Sequence, residues 1–226
     1  MLTPIVNFLT EIFNGLHSFV LNVGVTHKGT SYVLAIFLLT LLVRLILLPL
    51  NIKQINSQAK MQEIQPQIKE LQTKYKNDPQ KSQAEMMKLY KENNVNPFSG
   101  CLPLIIQMPI LFALYYVFMG INVEGASFLW IKDLYAPDKF YILPILSAAT
   151  TYLSSYLMTK NSNNTGQENT GMNMGSMNIG MAIMMGFFAI NFRSALVLYW
   201  IMGNLIQVAQ TYFLVVIPAK KKALEA

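Results

Sequence analysis

The stretch LLTLLVRLILLPL (residues 38–50) places one arginine, Arg44, among aliphatic side chains. It completes an apolar run that begins near residue 31. Twenty helical residues measure about 30 Å, the thickness of the hydrocarbon core of a bilayer, so the run predicts a transmembrane helix. A guanidinium near the middle of such a helix costs about 2.5–3.5 kcal/mol of insertion free energy. Arg44 consequently needs a partner, access to water, or both.

The composition is typical of a membrane protein. Hydrophobic residues make up 53% of the 226 positions and charged residues 12%, against about 25% charged residues in a soluble domain. The apolar residues fall into long runs, which favours several membrane spans. The single cysteine, Cys101, excludes an internal disulfide and a multi-thiolate metal site. Both histidines lie near the N-terminus, so we expect neither a metal centre nor another cofactor.

The order of apolar and polar segments predicts an all-α integral membrane protein with five transmembrane helices. A cytoplasmic helical hairpin and an N-terminal interfacial amphipathic helix complete the predicted fold. The last two spans are joined so tightly around Arg193 that we expect a hairpin of helices. In chain order the predicted segments are an external interfacial helix (1–28), TM1 (29–50), the cytoplasmic hairpin (51–97), TM2 (98–120), an external loop (121–139), TM3 (140–159), a cytoplasmic loop (160–176), TM4 (177–192), TM5 (194–217) and a basic cytoplasmic tail (218–226).

The distribution of basic residues predicts the orientation. If the segment 51–97, the loop 160–176 and the tail are cytoplasmic, they hold eight, one and three basic residues, twelve in all. The other side then holds four. The positive-inside rule therefore places the N-terminus outside and the C-terminus in the cytoplasm. The net charge of +6 is mostly a signal of this topology, and we expect no direct nucleic-acid partner.

The first 28 residues predict an amphipathic helix that lies in the bilayer interface. Polar residues from Asn7 to Ser18 recur at helical spacing, with aliphatic and phenyl side chains between them. An ordinary surface helix packed on protein is the alternative. The segment has no basic n-region and no A-x-A-like site, so we expect no cleavable signal peptide.

The polar segment 51–97 predicts two antiparallel helices with weak apolar seams. Its apolar residues keep a spacing of three to five, and a turn signal follows at Asn77-Asp78-Pro79. Pro66 is expected to kink or restart the first helix. The hairpin is either a docking arm for a partner or a spacer, and the sequence leaves both open. The first seam comprises Ile52, Ile55, Ala59, Ile64, Ile68, Leu71 and Tyr75, and the second contains Ala84, Met87 and Tyr90.

Polar residues within the other predicted spans form patterns. Thr40 lies one helical turn before Arg44 and on the same face. Gln107 stands between Pro103 and Pro109 in the second span. Hydroxyl stripes usually form hydrogen bonds between helices, which is our interpretation of the serines and threonines. The last span carries the stripe Trp200, Asn204, Gln207 and Thr211, and the third span carries Ser147, Thr151 and Ser154.

The amides Gln107, Asn204 and Gln207 are costlier to bury, and together with Arg44 they suggest one wet cavity open to the cytoplasm. The five predicted spans contain no Asp or Glu, so Arg44 has no carboxylate partner there. Snorkelling of Arg44 to the interface is an alternative. A cavity with one fixed positive charge fits either an anion-selective secondary transporter or a slide for acidic and polar stretches of another polypeptide. An intramembrane hydrolase is not expected, because no span holds a histidine or a carboxylate.

Several motifs resemble the YidC family of membrane protein insertases, in order and spacing, over about residues 30–215. VRLILLPL (43–50) resembles the first core span of the family, and NPFSGCLPLIIQMP (96–109) resembles its second-span signature. FLWIKDL (128–134) is similar to the external loop. The matches YILP (141–144) and LYW (198–200) with Asn204 complete the set. Ser99 stands where many relatives have glycine.

The resemblance implies a role for four of these residues. Arg44 matches the groove arginine, Thr40 the hydroxyl one turn before it, Gln107 the second-span groove amide and Trp200 the aromatic position of the last core span. The family receives a hydrophilic segment of a nascent membrane protein in a groove open to the cytoplasm and the lipid, and passes the apolar segment into the bilayer. Asn204 and Gln207 join the candidate groove through the stripe on the last span.

The resemblance also implies partners and a location. These are nascent membrane-protein clients and the lipid bilayer, in a bacterial plasma membrane. It leaves open a partnership with the ribosome, the signal recognition particle pathway and the Sec translocon. The chain resembles the short Gram-positive forms but shows no lipobox cysteine near its N-terminus. Its tail has only three lysines, which makes strong ribosome binding through the tail doubtful.

Overall fold

A computed structural model of the chain describes residues 3–96, 102–121, 125–159 and 174–217. Within these ranges the regular structure is helical, without a strand, which confirms the predicted all-helical class. The tail 218–226 and most of the loop predicted over 160–176 lie outside them. The helices are α1 Thr3–Asn22, α2 Lys28–Ile46, α3 Leu48–Glu63, α4 Gln65–Lys74, α5 Pro79–Glu92, α6 Leu102–Gly120, α7 Ile142–Thr159, α8 Met174–Asn191 and α9 Ser194–Thr211, followed by the π-helix Tyr212–Val216.

By length and apolar composition alone, one helix of the described residues could cross a membrane. It is α2, with 19 residues. Three further helices contain shorter apolar stretches, Gln107–Gly120, Ile142–Leu157 and Asn178–Asn191. The layout of five spans therefore stays a prediction.

The helices pack around one main hydrophobic core. α2 lies between α1 and α9, and α6 contacts both α1 and α9. α8 and α9 both pack mainly against α7, although only Phe192 and Arg193 separate them in the chain. Small residues allow the close approach of α7 and α8: a Cβ on Gly186 would lie 3.1 Å from the Cβ of Ala148.

The loop between α6 and α7 ties the N-termini of α2 and α9 together. Gly29 of α2 lies directly against the backbone of Ser127. At the start of α9, the amide of Ser194 donates to the Ala136 carbonyl at 3.0 Å, and the next amide donates to the Leu134 carbonyl at 3.1 Å. Since both helices begin at this loop and contact each other along their length, they run parallel.

Two charged side chains fix this loop further. Asp138 accepts hydrogen bonds from the amide of Leu143 at 2.8 Å and from the indole of Trp130 at 3.4 Å, and so holds the start of α7. The guanidinium of Arg193 stacks on the ring of Tyr135, 3.5 Å from its centroid. The loop therefore contacts the starts of three helices, α2, α7 and α9.

α1 packs on the protein along one side and leaves apolar groups exposed on another. Phe13 is fully buried. His17 forms a hydrogen bond of 3.0 Å with Ser31 and stacks on Tyr32 of α2, and burial lowers the pKa of its imidazole. On the outer side Phe8 and other apolar residues remain exposed. Both alternatives for this helix thus find support, and its position in a bilayer interface stays a prediction.

The polar hairpin continues almost directly from α2. A single residue, Leu47, separates α2 from α3. Pro66 lies in the first turn of α4 and so restarts the helix, as predicted. Asp78 caps α5 by accepting from the amide of Lys81 at 3.0 Å.

A small core joins α4 and α5, apart from the main one. Ile64, Ile68 and Val95 are buried in it. The predicted second seam is correct for Tyr90 but wrong for Ala84 and Met87, which are exposed. The side of α5 that faces α4 carries Met86, Leu89 and Tyr90 instead, because residues three and four apart share a helical face.

Replacing Gly29 by alanine is expected to destabilise the protein. Its Cβ would overlap the carbonyl oxygen of Ser127, and overpacking of this kind costs about 1–3 kcal/mol. The melting temperature in detergent should fall by several degrees. Gly15→Ala is the control, since a Cβ there meets no atom within 4 Å and alanine favours the helix. Equal melting temperatures for the two variants would contradict this packing.

Candidate functional site

The candidate site centres on Arg44, in the last turn of α2. Its Nη1 donates a hydrogen bond of 3.3 Å to Oε1 of Gln207 on α9. The side chain is half-buried, whereas the neighbouring Leu45 and Ile46 are exposed. The guanidinium thus points from α2 towards α9, and the aliphatic residues that follow it point away from the protein.

Gly203 makes this arrangement possible. A Cβ at this buried position would lie 3.1 Å from Nη2 of Arg44 and 3.7 Å from Nε. The planar guanidinium therefore lies against the bare backbone of α9. Any larger residue would have to displace the charged group.

A second polar contact connects α6 with α9. The Nε2 of Gln107 donates to the phenol oxygen of Tyr199 at 3.1 Å, and Tyr199 is only 4% exposed. Tyr199 also lies within electrostatic range of Arg44. The amide of Gln107 thus contacts Tyr199 on the same face of α9 as Gly203, which lies against the arginine.

Trp200 and Asn204 point elsewhere. The indole N–H of Trp200 donates to Oγ1 of Thr151 on α7 at 3.2 Å, and Nδ2 of Asn204 donates to the same oxygen at 2.9 Å. These bonds confirm the predicted contact between helices for Thr151. For Ser147 and Ser154 it stays a prediction. The bonds to Thr151 hold α7 against α9 and do not reach Arg44.

Thr40 is fully buried, and its hydroxyl donates to the carbonyl of Ile36 in its own helix at 2.6 Å. This bond satisfies the donor without a partner from another helix. The position one turn before Arg44 follows the predicted helical register. In this structure Thr40 supports the packing beside the arginine.

Helical geometry explains why the polar stripe of α9 divides into two. Tyr199, Gly203 and Gln207 recur every four residues, which places them on one face, and this face meets α2 and α6. Trp200 and Asn204 follow one position later and face α7. The sequence pattern grouped Gln207 with Trp200 and Asn204. A spacing of three to four residues cannot distinguish two stripes that are offset by one residue.

Tyr199 and Gly203 are the site residues that sequence reasoning missed. Glycine has no polar side chain to mark it, and Tyr199 stands out in the sequence only within the motif LYW. The signal in the sequence was spacing, since Gly203 lies four residues and Tyr199 eight residues before Gln207. The structure therefore brings Arg44 and Gln207 together directly and adds Gln107 through Tyr199.

The site is suited to binding a negative or polar group without covalent chemistry. It has one guanidinium and the neutral partners Gln207, Gln107 and Tyr199. Within the described residues, no group of three or more His, Cys, Asp or Glu side chains lies close enough together to hold a metal ion. Its chemistry is electrostatic attraction and hydrogen bonding.

Known proteins are similar to this chain in sequence and in fold. The family model described as 60Kd inner membrane protein matches residues 24–221. A protein named membrane protein insertase YidC from Clostridium perfringens is 66% identical over 227 residues, which is 100% of this chain and 95% of that protein. Another of the same name, from Clostridium tetani, is 51% identical over 206 residues, or 91% of this chain and 90% of that protein.

A solved structure shares the fold as well. It is described as an active YidC insertase with the first transmembrane domain resolved, and it aligns with a TM-score of 0.68 at 35% identity. The alignment covers 90% of this chain but 46% of the solved one. The aligned part of this chain therefore spans less than half the length of that protein.

The bond between Gln107 and Tyr199 predicts a measurable energetic coupling. Tyr199→Phe leaves the amide donor without its partner, and Gln107→Leu leaves the phenol without its donor, whereas the double variant removes both groups. We expect a coupling energy of about 0.6 kcal/mol and at most about 1.7 kcal/mol, the range of hydrogen bonds between membrane helices. Unfolding with a denaturing detergent in bicelles measures the double-mutant cycle. Additive losses from the two single variants would show that the contact does not form.

Proposed function

The chain belongs to the 60Kd inner membrane protein family, together with the YidC membrane protein insertases, and from this premise we propose how it works. It receives the hydrophilic segments of nascent membrane proteins at Arg44, in a positively charged groove between α2, α6 and α9. The apolar segments of these clients then pass into the bilayer. The protein acts without catalysing a covalent reaction.

The observation that carries this proposal is the set of partners around Arg44. Guanidinium offers five N–H donors, and within the described residues it donates one hydrogen bond, to the amide of Gln207. The predicted spans supply no carboxylate. A half-buried cation with neutral neighbours attracts anionic and polar groups more strongly than it would in water. The counter-charge, in this proposal, arrives with the client.

The position of Arg44 supports a groove that opens to the cytoplasm. α2 and α9 run parallel from the external loop, and Arg44 contacts the C-terminal half of α9. The polar hairpin of α3, α4 and α5 continues from the same end of α2. With five spans and the lysine bias of the sequence, this end is cytoplasmic and the N-terminus lies outside.

The surface beside the arginine supports the transfer into lipid. Leu45 and Ile46 are 54% and 66% exposed. In a bilayer these aliphatic groups face the acyl chains. A client with its polar segment at Arg44 would lie with its apolar segment along this lipid-facing side.

The partners of this function are nascent membrane-protein clients and the bilayer. The hairpin has its own small core of Ile64, Ile68 and Val95, and it is either a docking arm for a further partner or a spacer. The ribosome, the signal recognition particle pathway and the Sec translocon are the candidates, and binding of each to purified protein tests them separately.

Substitution of Arg44 tests the proposal. Arg44→Ala should abolish insertion of a small client with an acidic translocated segment, because the attracting charge is lost. Arg44→Lys should retain part of the activity, since a positive charge survives without the planar guanidinium. Protease protection of the client in proteoliposomes measures insertion.

Lys139→Ala is the matched control, since it removes an exposed positive charge from the external loop and should leave insertion unchanged. Normal insertion by a stably folded Arg44→Glu variant would contradict the electrostatic role. Saturable uptake of a small anion by the purified protein, combined with unchanged insertion in Arg44→Ala, would favour an anion transporter instead.

A further inference from the structure

The loop between α6 and α7 holds two large side chains in a backbone conformation that such residues rarely adopt. Leu129 and Tyr141 have φ angles of 52° and 58°, in the left-handed region that favours glycine. A bulky side chain at such a φ strains the backbone, and the strain persists only where the surrounding structure fixes the conformation. Residues held in this way cluster at functional sites.

Leu129 occupies the first position of a two-residue turn. Phe128 and Ile131 exchange both backbone hydrogen bonds, at 2.8 Å and 2.9 Å, and enclose Leu129 and Trp130. In two-residue hairpin loops, a positive φ at the first position is typical of the type II′ turn, which places glycine there. The leucine at this position therefore needs a physical reason.

Packing within the described residues does not supply that reason. Leu129 is 75% exposed, the largest exposed fraction among the large apolar side chains of the described residues. Phe140 and Tyr141, in the following turn, are 60% and 54% exposed. A glycine at position 129 would relax the turn without giving up a buried contact. The apolar side chain is thus best explained by a contact outside the protein.

Asp138 joins the turn at Leu129 to the turn that precedes α7. Its carboxylate accepts hydrogen bonds from the indole of Trp130 at 3.4 Å and from the amide of Phe140 at 3.0 Å. The amide of Tyr141 donates to the Asp138 carbonyl at 3.3 Å and closes the second turn. Asp138 itself is buried. The polar groups of the two turns therefore meet inside the loop, and its apolar surface consists of Leu129, Phe140 and Tyr141.

This apolar surface continues onto the exposed side of α7. The amide of Ile145 donates to the carbonyl of Tyr141 at 3.2 Å, and Ile145 is exposed. Exposed residues recur from there at helical spacing, at Ala149, Tyr152 and Tyr156. α7 packs on α8 and α9 with its other side. In a helix that spans the bilayer, an apolar side of this kind faces lipid.

The length of α7 also favours lipid as the partner of the loop. Its apolar stretch, Ile142–Leu157, measures about 24 Å along the helix axis, against about 30 Å for a hydrocarbon core. Apolar side chains just before the helix start extend this surface towards the headgroups. Tyrosine is enriched at that depth, because its ring is apolar and its hydroxyl is polar.

We propose that Leu129, Phe140 and Tyr141 insert into the bilayer interface and anchor the loop between α6 and α7 in lipid. In the orientation that we propose for the chain, this is the outer leaflet. The contact is made by hydrocarbon and aromatic groups, so it depends on buried apolar area and little on lipid charge. The inference goes beyond the proposed function, because it involves neither Arg44 nor a client. It requires only that α7 lies in the bilayer.

The anchor connects the bilayer surface with the candidate site. The loop contacts Gly29 of α2 and the first residues of α9. Arg44 follows Gly29 by fifteen residues in one helix, which is about 22 Å along the helix axis. A loop held at the interface thus sets the depth of the guanidinium in the membrane.

Fluorescence quenching in proteoliposomes of the full-length chain tests the anchor. Cys101, the single cysteine, is replaced by serine, and bimane is attached to Leu129→Cys, Phe140→Cys or Lys132→Cys in separate variants. Lipids that carry a nitroxide near the headgroup should quench bimane at positions 129 and 140 several-fold more strongly than at position 132, an exposed lysine of the same loop. Iodide in the aqueous phase should show the opposite order.

Equal quenching by iodide at the three positions would overturn the anchor. Protection from both quenchers at positions 129 and 140, in vesicles that contain only this protein, would show that a second copy covers the surface and would overturn it as well. Position 140 decides the result if Leu129→Cys does not fold, and position 129 decides it in the reverse case.

Bimane at Ile145→Cys separates the anchor from the membrane position of α7. Quenching by nitroxide lipids at position 145 without quenching at positions 129 and 140 would contradict the anchor alone. Absence of lipid quenching at all three positions would contradict the predicted span and the anchor together. Insertion of a client is not measured in these vesicles, so the outcome is independent of the proposed role of Arg44.

Discussion

The hydrogen bond between Arg44 and Gln207, with the guanidinium lying against Gly203, is the constraint that the packing of the helices has to satisfy. A charge within an apolar helix is tolerated only if neighbouring groups or water compensate its desolvation. Within the described residues, the guanidinium of Arg44 donates one hydrogen bond, to the neutral amide of Gln207, so its desolvation is only partly compensated. The fold keeps the charge near the protein interior without neutralising it, and in the function that we propose this charge attracts the client.

The rest of the architecture holds the arginine in place. The loop between α6 and α7 holds the starts of α2 and α9 through Gly29 and Ser194, so the two helices keep their relative register. On the other side of α9, Thr151 accepts hydrogen bonds from Trp200 and Asn204 and fixes that helix to α7. Each of these contacts is distant from the charge. Together they determine that a glycine and an amide of α9 meet the guanidinium.

The sequence was sufficient for the helical class, and it singled out Arg44, whose contact with Gln207 on α9 the structure shows. It was insufficient for predicting contacts that depend on which face of a helix meets which neighbouring helix. Tyr199 and Gly203 were missed, since a tyrosine in an apolar span and a glycine carry no polar signal of their own. The same limit misplaced Met87 on the hairpin seam, where Met86 packs instead. Helical periodicity defines a set of possible faces, and only the packing of the helices selects one.

The most direct measurement of the central claim is a crosslink from the groove to a client during insertion. A photoreactive group at position 107, beside Tyr199, can be combined with a stalled nascent chain whose hydrophilic segment is acidic. The account predicts crosslinks to that hydrophilic segment, and their loss when Arg44→Ala is added. Crosslinks confined to the apolar segment, or crosslinks unaffected by Arg44→Ala, would contradict it.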